Sequence, residues 1–286
     1  MRVRDYEVQG VLGEGGMGRV YSARHVRLGE PVALKELLLT DPAMADQFLV
    51  EARLLYGVRH PCFPTVKDYF VTSGKHYLVM DRIAGDSLQA SITAHRNVSG
   101  DVVGWIVDQL LEGLEYLHAR GIVHRDIKPG NVMVDLAQRR AVLVDFGIAR
   151  SSASGMHTVA AVRHAFTPHM APPEQYAGGR STPATDLYQL GATAYYALSG
   201  ILPPEAVHRI GRDPLVDIGQ CAPSLAPPRA DAIRRALALD PALRPSSAAQ
   251  MRAMWSATAT APPITGVSPR ALDTYRRMGA FDIRKR

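Results

Sequence analysis

Two short runs near the middle of the chain constrain its fold more than any other feature. The first, from His124 to Asn131, reads His-Arg-Asp-Ile-Lys-Pro-Gly-Asn, and the second, from Asp145 to Gly147, reads Asp-Phe-Gly. They place an acid, an amine and an amide in one loop and a further acid at the end of a later predicted strand. Such a set can position a hydroxyl nucleophile, neutralise a transferring phosphoryl group and hold two magnesium ions.

Length and composition indicate a globular chain. It has 286 residues, of which 47% are hydrophobic and 21% charged, so it can bury one large core or two modest ones. No apolar run is long enough to cross a bilayer, and residues 1–4 show no signal peptide. Cys62 and Cys221 are isolated from each other, so we expect them to pack as small apolar residues rather than form a disulfide. These features predict a cytoplasmic protein with no transmembrane segment in this chain.

The net charge of +6 is concentrated at the end of the chain. Six basic residues against two acids give this tail +4, from Arg270, Arg276, Arg277, Arg284, Lys285 and Arg286 against Asp273 and Asp282. No interleaving of aromatic and basic residues marks a nucleic-acid platform elsewhere. We expect a solvated basic tail or linker and no nucleic-acid partner, with contact to a membrane surface or to nucleic acid as the less favoured alternative.

The spacing of apolar residues changes from a strand-like to a helix-like pattern near residue 85. Before it, short β-branched segments predict strands at 6–12, 19–25, 32–37, 65–71 and 77–81, with a helix opening at 41–42. After it, wide apolar stripes predict helices at 103–117 and 186–198, weaker helices at 231–239 and 246–255, and strands at 132–134 and 141–144.

Three glycines, Gly13, Gly15 and Gly18, join the first two predicted strands. Without a Cβ, such a loop can fold closely over phosphates with its amide groups turned inward. The motif alone is weak evidence, because a merely flexible hairpin would have the same pattern. A dinucleotide-binding fingerprint would open a helix instead, and a Walker loop would end in Gly-Lys-Ser/Thr.

The third predicted strand carries a lysine under this glycine loop. Alternation along Val32-Ala33-Leu34-Lys35 puts Ala33 and Lys35 on one face. A lysine there can reach the α- and β-phosphates of a nucleotide if a carboxylate orients it. We predict Glu51 as that carboxylate, because Glu36 alternates to the opposite face.

Together these runs resemble the eukaryotic-like (Hanks-type) serine/threonine protein kinases, in a bacterial style, over about residues 6–255. The resemblance implies an α+β, two-lobed fold with ATP in the cleft between the lobes. It implies a small antiparallel-sheet N-lobe with one helix over residues 1–84, a larger, mainly helical C-lobe over 85–256, and a tail over 257–286.

The resemblance also implies roles for individual residues. Asp126 would orient the incoming hydroxyl, Lys128 would stabilise charge on the γ-phosphate, and Lys35 and Glu51 would form the supporting ion pair. Asn131 and Asp145 would hold Mg²⁺, with Mn²⁺ as an alternative. The implied nucleotide-binding residues are Leu12, Gly13, Gly15, Gly18, Val20, Ala33, Lys35, Asp81, Ile83 and Met133.

Further positions follow from the same resemblance. Met80 corresponds to the gatekeeper before the hinge, and Arg82 is expected to point to solvent. His124 and Phe146 are expected to pack in the core with Leu55. Lys128, in its Ile-Lys-Pro context, favours Ser/Thr over Tyr as the acceptor.

The hydrophilic segment 148–170 resembles an activation loop. We predict autophosphorylation within residues 151–158, at Ser151, Ser152, Ser154 or, by preference, Thr158, with self-association as one route to it and with the new phosphate pairing with Arg125. A disordered serine-rich loop is the alternative. The protein substrate would present a Ser or Thr hydroxyl.

The segment 166–174 matches the family's Ala-Pro-Glu region only in part. Glu174 is expected to pair with Arg244, and Thr167 to contact Asp126 or Lys128. Phe166 and His169 stand where similar bacterial kinases tend to have glycines, which puts the peptide-docking surface in doubt but not ATP binding.

Two rival functions remain open. One is a pseudokinase scaffold, and the other is a small-molecule kinase of the aminoglycoside or choline type. A zinc site at His157, His164 and His169 is disfavoured, since their spacing fits no helix face and no cysteine joins them.

Overall fold

The computed structural model describes residues 1–15, 18–37, 49, 52–53, 55–95, 97–146 and 167–257. Residues 49, 52, 53, 55 and 56 are helical, which agrees with a helix in this region. Its predicted start at 41–42 and Glu51 lie outside the described residues. So do residues 147–166, with the predicted phosphorylation sites and two of the three histidines, and the basic tail.

A curled antiparallel sheet forms the N-terminal part of the fold. Its strand order is β1-β2-β3-β4-β6-β5. The strands are β1 (Arg2–Val3), β2 (Tyr6–Gly15), β3 (Gly18–His25), β4 (Pro31–Leu37), β5 (Val66–Thr72) and β6 (Lys75–Asp81).

The two faces of this sheet pack into different cores. One face carries aromatic and aliphatic side chains that cluster among themselves, including Tyr21, Leu34, Phe70 and Tyr77. Leu37 and Leu78 instead join the large cluster that continues through the helices of the C-terminal part. Because side chains alternate along a strand, each strand supplies both faces.

Helices dominate the C-terminal part, with one small sheet of order β7-β8-β9. Its strands are β7 (Asp86–Ser87), β8 (Val132–Asp135) and β9 (Arg140–Leu143). The helices are α1 (Leu88–His95), α2 (Gly100–His118), α3 (Pro173–Tyr176), α4 (Pro183–Ser199), α5 (Ile218–Cys221), α6 (Pro227–Ala236) and α7 (Ala248–Ser256). Short 3₁₀ turns cover Pro129–Asn131, Ala206–Arg209 and Pro241–Leu243.

Helices α2 and α4 form the centre of the large core. The stripe predicted for α2 is buried, and Ser99 caps the helix by accepting a hydrogen bond from the Val102 amide. Helix α4 starts at a capping box between Thr182 and Thr185 and ends at Gly200, whose φ is +68°. Most of α4 is buried, so the residues it presents to the loop before β8 are held firmly.

The sequence located most elements within a few residues. Helix α6 begins at Pro227, four residues before the predicted start, because a proline is accepted in the first helical turn. The pattern missed β1, β7 and α1, which are too short or too weakly amphipathic to give a periodic signal.

Two expectations about composition have counterparts in the structure. Cys62 is buried and donates to the Gln109 carbonyl (2.9 Å), and neither it nor Cys221 forms a disulfide. Among the described helices, none has both the length and the apolar character needed to cross a bilayer.

Candidate active site

The loop between α2 and β8 is tied to helix α4 through Asp186. This fully buried carboxylate accepts hydrogen bonds from the backbone amides of His124 and Arg125, both at 2.8 Å, and contacts His118 Nε2 at 2.9 Å. Three polar partners compensate for the desolvation of the charge. Asp186 therefore fixes the backbone that leads into Asp126.

Gln189, on the same side of α4 three residues later, completes this attachment. Its Oε1 accepts from the Ile127 amide (2.9 Å) and its Nε2 donates to the Arg125 carbonyl (3.0 Å). Arg125 has a φ of +72°, a left-handed conformation that costs a non-glycine residue energy. The contacts from α4 on both sides maintain this strained turn.

Asp126, Lys128 and Asn131 lie together in the loop. Asn131 Nδ2 donates to the Asp126 backbone carbonyl (2.8 Å) and to its carboxylate Oδ2 (3.0 Å). Lys128 Nζ lies 3.2 Å from the same Oδ2. Asp126 is only 4% exposed, and its carboxylate oxygen Oδ2 is contacted by both of these nitrogen donors.

Asp145 follows β9 and brings the second acid to the same place. Its backbone carbonyl lies 3.5 Å from Asn131 Nδ2, and its φ of +60° turns the chain sharply. Its side chain forms an ion pair with Lys35 from β4, which joins the N-terminal sheet to the C-terminal part. Four predicted site residues, Lys35, Asp126, Asn131 and Asp145, are thus connected by direct contacts.

The charge state of Asp145 follows from these contacts. Burial raises the pKa of the Asp145 carboxyl, but the Lys35 ammonium, together with Lys128, outweighs burial and leaves that pKa below its ordinary range. Asp145 is therefore an anion at neutral pH. An ionised carboxylate beside an amide oxygen is a suitable pair of ligands for a hard divalent cation.

The strand register of the N-terminal sheet brings four apolar and basic side chains to the face that carries Lys35. Val20 lies opposite Lys35, and Ala33 lies opposite Met80, so these four side chains share one face. Gly18 has a φ of +147°, and a Cβ there would lie 2.0 Å from the Glu36 carbonyl oxygen, so only glycine fits.

Three further residues predicted to bind the nucleotide lie on strands β2 and β8. Leu12 is exposed, and Met133 on β8 is half-buried. Gly13 lies opposite Val20 in the β2–β3 pairing.

The connection after β6 is held by Asp81. Its amide donates to the Thr65 carbonyl and its carboxylate accepts from the Thr65 amide, both at 3.0 Å, while Lys67 Nζ lies 3.1 Å from the carboxylate. Burial raises the pKa of Asp81, but Thr65 and Lys67 outweigh it and lower the pKa overall. Arg82 is exposed, as predicted, and Ile83 is half-buried.

The segment before α3 contacts the loop at residues 124–131, which we call the catalytic loop. Thr167 Oγ1 donates to Asp126 Oδ1 at 3.3 Å. His169 has a φ of +64°, a left-handed backbone conformation that favours glycine, and its Nδ1 contacts the Pro203 carbonyl at 2.8 Å. Arg244 forms the predicted pair with Glu174, at 2.7 and 3.0 Å.

The aromatic residues expected in the core are there. The fully buried His124 ring lies 4.6 Å from the Phe146 ring, and Phe146 lies 5.4 Å from Phe63. Phe146 and Leu55 belong to the same buried cluster. His124 therefore packs within the interior.

Two residues that position the loop were not picked out from the sequence. Gln189 and His118 carry no motif of their own, and each is an ordinary residue within an amphipathic helix. The available signal for Gln189 was its position three residues after Asp186, which places both side chains on one face of α4.

Comparisons with known proteins agree with this geometry. The model of the family described as "Protein kinase domain" matches residues 6–256. The serine/threonine-protein kinase pkn2 of Myxococcus xanthus is 41% identical over 202 residues, which cover 67% of this chain and 24% of the relative. The pkn3 kinase of the same organism is 32% identical over 266 residues, which cover 87% of this chain and 49% of the relative.

A solved structure gives the same fold. The crystal structure of Rad53 residues 1–466 in complex with AMP-PNP matches 88% of this chain and 65% of that chain, with a TM-score of 0.72 and 24% identity. This chain spans between about a quarter and a half of the length of the two curated relatives. The family match and the two-lobed α+β architecture together identify the chain as a member of the protein kinase family, similar to bacterial serine/threonine kinases.

Proposed function

We propose that this chain is an ATP-dependent serine/threonine protein kinase, which transfers the γ-phosphoryl group of ATP to a protein hydroxyl. One observation carries the proposal: Lys35, Asp145, Asn131 and Asp126 form a continuous set of contacts from β4 to the catalytic loop. Phosphoryl transfer requires mainly positioning and charge neutralisation, and these residue types supply both.

The acceptor hydroxyl would be oriented by Asp126, which takes its proton as the phosphorus–oxygen bond forms. Lys128, beside the Asp126 carboxylate, would neutralise charge on the γ-phosphate. Thr167 donates to the other carboxylate oxygen, so the base is held from two sides. The bond from the γ-phosphorus to the bridging oxygen breaks, and ADP leaves.

Asn131 and Asp145 would hold Mg²⁺, or Mn²⁺ as an alternative. Asn131 donates with Nδ2 to Asp126, so its Oδ1 oxygen is the atom that remains for a cation. The cation would neutralise the β- and γ-phosphate oxygens. Lys35 would bind the α- and β-phosphates, and Glu51 would orient it.

The nucleotide would lie between the sheet and β8. The backbone of the glycine loop, at Gly13, Gly15 and Gly18, would cover the phosphates together with Leu12. Val20 and Ala33 would pack above the purine and Met133 below it. The Asp81 carbonyl and the Ile83 amide would pair with its edge. The solved Rad53 structure of the same fold contains the nucleotide AMP-PNP, which supports ATP as the nucleotide here.

The substrate would be a protein that presents serine or threonine. Autophosphorylation within residues 151–158, with Thr158 preferred and self-association as one route to it, would supply a phosphate for Arg125. We place the N-lobe at residues 1–84, the C-lobe at 85–256 and a basic tail after them, in a cytoplasmic protein.

A transfer assay tests the function. Purified chain with γ-labelled ATP and Mg²⁺ should label a generic protein substrate, and Asp126→Asn should remove most transfer while calorimetry still detects nucleotide binding. Transfer to choline or an aminoglycoside alone would favour the small-molecule kinase. Nucleotide binding with no transfer to any acceptor would favour the scaffold.

Autophosphorylation has a separate test. Intact-mass and fragment analysis after incubation with ATP should find phosphate within residues 151–158. A segment that stays unmodified while the substrate is labelled would contradict this part of the proposal.

A further inference from the structure

Glu36 is a buried acid on β4 that the proposed chemistry does not use. Its side chain points away from the nucleotide face, since Lys35 occupies that face and neighbouring residues of a strand alternate. Glu36 is 5% exposed, and a buried carboxylate requires compensation by hydrogen bonds. The partners that compensate it lie on the two strands that flank β4, namely β3 and β6.

Two tyrosines and a lysine bind this carboxylate. Tyr77 of β6 donates to Oε2 at 3.0 Å, and Tyr21 of β3 donates to the same oxygen at 3.3 Å. Lys75 Nζ lies 2.8 Å from Oε1. Burial raises the pKa of Glu36, but Lys75 and the tyrosines outweigh it, so the pKa is lowered and the group is ionised.

The register places Glu36 in a polar row that crosses the sheet. Glu14 of β2 lies opposite Arg19 of β3, Arg19 lies opposite Glu36, and Glu36 lies opposite Tyr77. Arg19 Nη2 also forms an ion pair with Glu14 at 2.6 Å. The row begins in the glycine loop itself, because Glu14 and Arg19 flank its tip.

Backbone contact connects Glu36 to the loop as well. Gly18, the third glycine, packs so closely on the Glu36 carbonyl that no Cβ would fit. Tyr21 lies on β3 one residue beyond Val20, whose side chain faces the nucleotide side. The hydrogen bond from the Tyr21 hydroxyl to Glu36 therefore also restrains the positions of Val20 and Gly18 over the nucleotide side of the sheet.

We propose that Glu36, acting through Tyr21, is a positioning residue that holds the glycine loop at the height needed for nucleotide binding. Lys75 and Tyr77 both hold Glu36 from β6, so Glu36 stays in place when the Tyr77 hydroxyl is lost, whereas the Tyr21 hydroxyl makes the side-chain contact that transmits the position of Glu36 to the loop. The inference about nucleotide affinity rests on the proposed kinase function. The inference that these contacts order the glycine loop, which we call the mechanical part, does not depend on that function.

Two matched variants test it. Tyr21→Phe and Tyr77→Phe each remove one hydroxyl that donates to Glu36 Oε2, with almost no change in volume. A purely structural role predicts similar losses of thermal stability and nothing else. The proposal predicts that only Tyr21→Phe affects the loop.

Hydrogen exchange on the protein without nucleotide reads out the mechanical part. Amides of residues 10–20 should exchange about threefold or more faster in Tyr21→Phe than in Tyr77→Phe, the size expected for one lost hydrogen bond. Equal exchange in this segment would overturn the proposal, whatever the enzyme activity. If either tyrosine variant does not fold, Glu36→Gln is compared with Glu36→Ala instead. Glu36→Gln keeps an oxygen that can accept from Tyr21, so the amides of residues 10–20 should exchange more slowly in Glu36→Gln than in Glu36→Ala.

Kinetics then reads out the second part. In Tyr21→Phe the KM for ATP should rise about threefold to tenfold with kcat within twofold, and in Tyr77→Phe both should stay near the parent values. A KM for ATP that rises equally in both variants, or in neither, would overturn the positioning role. If the parent chain transfers no phosphate, the proposed function fails while the exchange result still decides the mechanical part.

Discussion

Arg244 and Glu174 form a bidentate ion pair that joins the segment before α4 to the segment before α7. The guanidinium is fully buried and the carboxylate side chain is 19% exposed, with N···O distances of 2.7 and 3.0 Å. Arg244 also donates to the carbonyls of Ala184, Ala238 and Leu239. The pair therefore fixes helix α3, which carries Glu174, to the loop that precedes α7.

Removal of Arg244 should be costly. Arg244→Met leaves Glu174 as a partly buried charge without its ionic partner, so urea unfolding should show a loss of about 2–4 kcal/mol, below or at the lower end of the range for a fully buried pair. Arg234→Met is a matched control, because Arg234 also forms a two-contact pair, with Asp217, but at the surface. We expect a loss of about 0–1 kcal/mol for it. Equal losses would show that burial of the pair is not what matters.

The same pair predicts a pH dependence. Burial raises the pKa of Glu174, but Arg244 outweighs burial and the pKa in the folded state is lowered. The resulting stabilisation is fully present above the unfolded value of about 4.3 and is lost as pH falls through the lower folded value. Between pH 6 and 3, the free energy of unfolding should therefore fall less steeply in Glu174→Gln than in the parent chain. Parallel curves would refute the coupling.

Asp186 should act on rate through the catalytic loop. Asp186→Asn keeps one accepting oxygen but turns an amide donor toward a backbone N–H, so one of the two loop contacts is lost. We expect kcat to fall about tenfold or more, since small misplacement of a catalytic group is costly, with the KM for ATP within threefold.

A neighbour on the same helix provides the control. Thr193 has a buried hydroxyl with no hydrogen-bond partner among the described residues. Thr193→Val should leave kcat unchanged and change stability little. If Asp186→Asn also leaves kcat unchanged, the loop does not depend on this attachment.

The ion pair between Lys35 and Asp145 should be essential for turnover and dispensable for folding. Lys35→Met and Asp145→Asn should each lower kcat at least about a hundredfold, because each removes charge stabilisation at the phosphates. Circular dichroism and thermal melting should show a folded chain in both. Near-parental rates in either variant would remove the assigned role.

The sequence was most informative where chemistry demands particular residues. The loop around Asp126 and the acid at Asp145 could be recognised because few residue types can do their work. The helix stripes of α2 and α4 were recognisable because burial on one face imposes a period. Glu174 could be matched to Arg244 through the resemblance alone, since 70 residues separate them.

Other features required coordinates. The left-handed backbone at His169 could not be read from the residue itself, because only a few per cent of non-glycine residues adopt a positive φ. Glu36 was correctly assigned to the face opposite Lys35, yet its tyrosine partners depend on strand order, which alternation does not determine. The role of Gln189 in positioning the loop could be recognised only from the structure, in which α4 packs against that loop.

The attachment of the catalytic loop to α4 limits how activity can be regulated. Helix α4 is buried along most of its length, and its Asp186 and Gln189 side chains hydrogen-bond the backbone from His124 to Ile127, so displacing this backbone breaks those hydrogen bonds. A switch that leaves this backbone in place would act on the segments that contact the loop. Among the described residues, the contacts of Lys35 with Asp145 and of Thr167 with Asp126 are two such places.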